Sequence, residues 1–123
     1  MGWTIWIILG AVFGALGVGM GAFGAHALRG TLSPENLDIF QTASRYHLIH
    51  AVALVAVGLV AVKIEGPALA VAGTAMTLGI IIFCGSLYTL AIADLRWLGA
   101  VAPIGGVALI VGWLALAWAA TPW

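Results

Sequence analysis

The sequence predicts an all-α membrane protein: a single domain, residues 1–123, with four transmembrane helices in an up-down-up-down bundle joined by short loops. Three observations carry this reading. The chain is 64% hydrophobic and only 7% charged, where a soluble domain carries about 25% charged residues. Its mean hydropathy is +1.21, and its apolar runs each approach the roughly 20 residues that cross a bilayer. Finally, the connections at 26–34, 63–67 and 94–97 are short, which obliges each helix to lie antiparallel to its predecessor.

Composition also excludes partners. Four basic residues balance four acidic ones, so no patch exists to neutralise phosphates, and nucleic acid is ruled out. The lipid bilayer is the partner the composition demands. The single cysteine, Cys84, forbids an intrachain disulfide and reads as a buried, inert thiol.

Helix one is expected over 3–25. Ala25-His26-Ala27 has the small-x-small look of a signal cleavage site. No Lys or Arg precedes it, however, and the apolar run exceeds the usual 7–15-residue signal core, so it reads as a retained helix. Gly10, Gly14, Gly17, Gly21 and Gly24 repeat at intervals of four and three, a stripe without side chains along one helix face. Such stripes let membrane helices pack closely, either inside the bundle or against a second copy or a larger complex.

Helix two is expected over 34–62. Ser33 is a plausible N-cap, Pro34 suits the first turn, and Glu35 and Asp38 complement the positive end of the dipole. At 1.5 Å per residue the helix exceeds the roughly 30 Å hydrocarbon core, so its first turns lie at the interface. Asp38, Gln41, Thr42 and Arg45 form a wet face, with Arg45 in reach of Asp38. Ile39, Phe40, Tyr46, His47 and His50 form the opposite one. His26 and His47 are expected at headgroup depth, and the deeper His50 is the one expected to face the bundle.

Gly66-Pro67 breaks the chain before helix three, expected over 68–93, and helix four follows over 98–120. Pro103 with Gly105 and Gly106 predicts a disturbed helix four and an exposed carbonyl. Trp3, Trp6, Trp118 and Trp123 mark one aromatic belt, Tyr88 and Trp97 the other.

The polar residues His26, Arg45, Tyr46, His47, His50, Ser86 and Tyr88, with Pro103, fall in one half of the membrane. Ionisable groups at that depth are functional candidates. A metal or haem would need His47 and His50 with His26 as ligands, but no carboxylate or Cys pair joins them at recognised spacing, so no cofactor is predicted. Ser86, His50 and Asp94 lack an oxyanion hole, and no catalytic residue is assigned.

Four stretches carry a family resemblance: Gly21-Ala-Phe-Gly-Ala-His26, Tyr46-His-Leu-Ile-His50, Phe83-Cys-Gly-Ser-Leu-Tyr88, and Ala102-Pro-Ile-Gly-Gly106 followed by Gly112-Trp113. In order and together, they resemble the YgdD-like family of small membrane proteins, known as domain of unknown function 423, with relatives in bacteria and mitochondria. The resemblance implies a four-helix inner-membrane protein with no assigned reaction. His26, His50, Gly85, Ser86, Tyr88, Pro103, Gly105 and Gly106 are its characteristic residues.

Two functions are expected. The first is a structural or accessory module that packs against itself or a larger membrane complex. The second is a one-sided polar pocket for a lipid headgroup, a quinone, a proton or another small ligand. Arg29, Arg45 and Arg96 against Lys63 lean toward a cytoplasmic polar end.

Overall fold

The computed structural model describes residues 2–122. Four helical spans are long and apolar enough to cross a membrane: Gly2–His26, Pro34–Ala61, Pro67–Ala93 and Arg96–Ala119. They are called α1 to α4 below. Among the described residues there is no strand.

Local chemistry explains most boundaries. Ser33 caps α2, its Oγ accepting the Asn36 N–H at 3.1 Å, and Pro34 opens the first turn. Gly66, at φ +138°, makes the turn into α3 that a side chain would oppose. Asp94 ends α3 in the left-handed region at φ 57°, a conformation that Asp tolerates better than most residues.

Two spans depart from regularity. Within α3, Ile80–Cys84 forms a π turn. Nothing in Ile-Ile-Ile-Phe-Cys announces it. The α4 span opens with a 3-10 turn, Arg96–Ala100, before its α-helical part, Ala102–Ala119. Pro103 therefore lies in the first turn of that helix, where its missing N–H costs nothing. The irregularity of helix four thus lies in the 3-10 turn ahead of Pro103, and Gly105 and Gly106 sit in regular α-helix.

The packing order follows the chain. α1 lies along α2, α2 along α3 and α3 along α4, whereas α2 and α4 barely approach each other. The glycine stripe of α1 faces α2. A Cβ at Gly10 would come within 2.7 Å of the Ala51 carbonyl, and one at Gly24 would overlap the Phe40 ring. Gly17 abuts Leu48, while Gly14 and Gly21 leave more room. Leu54, Val57, Leu69, Ala72, Met76, Ile80, Cys84 and Leu109 make the core between α2, α3 and α4.

Trp6 does not join an interfacial belt. It packs against the core, and a Cβ at Gly73 would overlap its indole. Trp3, Trp97 and Trp118 are exposed. Trp123 lies outside the described residues.

At the membrane face of α2's N-terminus, a polar latch joins three elements. Asp94 Oδ1 accepts from the Asn36 amide at 3.0 Å and from Arg96 at 2.6 Å, and Arg96 also donates to Asn36 Oδ1 at 2.8 Å. Glu35 pairs with Arg96 at 3.5 Å. The expected Arg45–Asp38 pair is not made; Arg96 is the arginine engaged by carboxylates.

The Asn36 amide and then the Arg96 guanidinium hold the Asp94 carboxyl below its usual range. A carboxyl depressed in the folded state contributes stability above its unfolded value, and this is lost as pH falls through the folded value. Acid should therefore lower the thermal midpoint of the protein in detergent more than that of Asp94→Asn. The difference between the two should close below the ordinary carboxylate range. A gap that is constant with pH would show that Asp94 contributes nothing through its charge.

Candidate functional site

The sequence-predicted cluster does not form one pocket. The structure divides it between two places and leaves part of it out.

The first place is buried between α1, α2 and α3. His47 is only 5% exposed, enclosed by the protein itself. Its Nδ1 meets the Tyr88 hydroxyl at 2.9 Å, the edge of Phe13 packs on its ring, and Phe40 packs on Tyr88. Tyr88 is thus a core residue rather than a belt residue. The Phe13 main chain also lies against the imidazole. Ser86 is buried on α3.

The second place is a groove of about 440 Å³ lined by Tyr46, His50, Phe83, Pro103, Gly106, Val107, Ile110 and Trp113, among others. Its origin is the gap between α2 and α4, which flank α3 without packing on each other. Tyr46 and His50 supply one wall and α4 the other. Phe83, carried on the π turn of α3, is the floor. There its main chain touches α4 so closely that a Cβ at Gly105 would overlap it.

His50 bridges the gap. Trp113 Nε1–H donates to its Nε2 at 2.9 Å, and its Nδ1 lies 2.7 Å from the Tyr46 carbonyl. An indole N–H only donates and a carbonyl only accepts. The partners therefore assign one tautomer: neutral imidazole, protonated on Nδ1. The two histidines, 5% exposed each, are equally buried but serve different neighbours.

His26 lies at the exposed end of α1, and Arg45 is exposed on α2; neither reaches the groove. Among the described residues, no three His, Cys, Asp or Glu side chains converge as metal ligands would. Trp113 and Phe83 were the members that sequence reasoning left out of the site. A tryptophan deep inside a span, away from the interfaces where Trp concentrates, is the signal that pointed to Trp113, because its buried N–H needs an acceptor.

Fold and site together define a small integral membrane protein of four spans with a groove that opens sideways to lipid. Residues 20–106 match the family described as protein of unknown function (DUF423), and the chain belongs to that family. It is similar to the UPF0382 membrane protein YwdK of Bacillus subtilis, 43% identical over 94% of this chain and 95% of that protein. It is also similar to the UPF0382 membrane protein SERP0230 of Staphylococcus epidermidis, 44% identical over 91% of each. No solved structure matches. Bacterial relatives named as membrane proteins and four apolar spans make this an integral protein of the bacterial inner membrane.

Proposed function

We propose that the protein is a binding protein for a membrane-borne amphiphile, held in the groove between α2 and α4. The single observation that supports this reading is the shape of that groove. It has about 440 Å³ of space, within the roughly 300–1,000 Å³ typical of ligand pockets, and its walls carry the rings of Tyr46, His50, Phe83 and Trp113.

The alternative, a structural or accessory module, drew its strength from the glycine stripe. That stripe is covered by α2 of the same chain, so it is not the face a partner would use. The groove reading is therefore preferred.

Native mass spectrometry of protein gently extracted from its own membrane tests it. The wild type should retain a small apolar molecule, and Gly106→Leu should lower the retained fraction at least about tenfold. A Cβ at Gly106 would meet only the Phe83 ring, at 3.6 Å, an ordinary contact, so a side chain there occupies the groove that Gly106 lines. Gly19→Leu, at a position with nothing within 4 Å, should retain as much as the wild type. Equal retention by both variants, or none by the wild type, would refute the proposal.

A further inference from the structure

We infer that the occupant of the groove is a quinone-type molecule: a neutral, flat, carbonyl-bearing ring on an apolar tail. This rests on the groove reading above and adds the chemical class. Three independent features support it.

The first is depth. Pro103 and Trp113 are ten residues apart on α4, about 15 Å along the helix, or half of the roughly 30 Å hydrocarbon core. The groove thus runs from near the interface toward the midplane, with the His50–Trp113 bond at its deep end. A phosphate-bearing headgroup stays at the interface, because desolvating a charge is too costly. The part of an occupant that lies along this length of groove is in hydrocarbon and is therefore neutral and mostly apolar.

The second is the shape of the walls. The rings of Tyr46 and Phe83 stand 4.9 Å apart, Tyr46 stacks on His50 at 6.1 Å and 12°, and Trp113 meets His50 edge-on at 5.8 Å. Four rings in one groove suit a flat partner, because aromatic faces attract one another in offset and edge-on arrangements. The π turn of α3 is what brings Phe83 into this set. Such turns concentrate at functional sites.

The third is the hydrogen-bond inventory. Both nitrogens of His50 and the N–H of Trp113 are spent within the protein. The Tyr46 hydroxyl has no partner among the described residues, and no charged residue lines the groove. A hydroxyl donor on a residue that lines the groove, with no cation beside it, suits a neutral acceptor, and a ring carbonyl is such an acceptor. A free alkyl chain would leave the hydroxyl unpaired, and a carboxylate or phosphate would find no cation.

The test is binding of decylubiquinone to the purified protein in detergent, followed by native mass spectrometry, with n-decylbenzene as the carbonyl-free comparison. One decylubiquinone per chain is expected, at least tenfold tighter than n-decylbenzene. Tyr46→Phe should weaken decylubiquinone about three- to tenfold, the worth of one hydrogen bond, and leave n-decylbenzene unchanged. Because Tyr46 is 40% exposed, this variant keeps the fold, which an unchanged thermal midpoint will verify. Gly106→Leu should abolish binding of both.

Equal affinity for the two probes, or no effect of Tyr46→Phe, would overturn the quinone assignment while sparing the groove reading. So would wild-type protein that retains a phospholipid which Gly106→Leu releases and decylubiquinone does not displace. Binding of neither probe by protein that retains nothing from its membrane would overturn both.

Discussion

Gly105→Ala will destabilise the protein by about 1–3 kcal/mol, the usual cost of forcing extra volume into a packed contact, whereas Gly106→Ala will be neutral or mildly stabilising. The two residues are adjacent and identical in sequence terms. A methyl at Gly105 would drive into the main chain of Phe83, which cannot rotate away; one at Gly106 would sit at 3.6 Å from the Phe83 ring, ordinary contact distance. At Gly106 alanine also gains helix propensity of up to about 1 kcal/mol. Unfolding by dodecyl sulfate in mixed micelles, followed by circular dichroism, measures both. Equal losses would mean that α3 and α4 are not in the close contact described, and the floor of the groove would be misplaced with them.

His50→Ala is expected to cost about 2–4 kcal/mol by the same measurement. It opens a void and leaves the Trp113 N–H without its acceptor, adding a cavity cost to an unpaired donor. The Trp113→Phe variant separates the two contributions. In a double-mutant cycle the pair should be non-additive by about 0.5–3 kcal/mol, the range for residues in direct contact. Additive losses would show that the indole and imidazole act independently, and that at the groove α2 and α4 are joined by nothing but side-chain bulk. His50→Gln, which can still offer an oxygen to the indole, should recover part of the loss. Away from the Arg96 latch at the membrane face, this is the bond that joins α2 to α4 at the groove, so its strength bears directly on how wide the groove opens.

The burial of His47 has a different meaning from the bridging of His50. Its ring is held by Tyr88 on one side and enclosed by Phe13 on the other, and the groove does not reach it. The two histidines at i and i+3 differ in neighbours. The 60° between them on α2 is enough to aim one between α1 and α3 and the other toward α4.

Much of this molecule was readable from its residues alone. Spans, antiparallel order and the capped start of α2 follow from apolar run length, loop length and the Ser33-Pro34 pair, which are local or one-dimensional properties. The bilayer makes them decisive, because an unpaired backbone has no water to turn to and helix is the only form these runs can take. What depends on which helix faces which was settled only in three dimensions. Pro103 read as an interior disturbance because the 3-10 turn at Arg96–Ala100 shifts the helix start, a matter of a few residues that hydropathy does not resolve. Arg96 rather than Arg45 found the carboxylates, because Asn36 and Asp94 are brought together from residues 58 apart. The polar residues of one membrane half looked like a single cluster, and tertiary packing sorted them into a core pair, a groove and two exposed side chains. The physical reason is the same in each case: the sequence by itself determines where a helix must form, whereas its rotation about its own axis, the π turn that swings Phe83 into place and the gap left between α2 and α4 are set by close packing among all four spans at once.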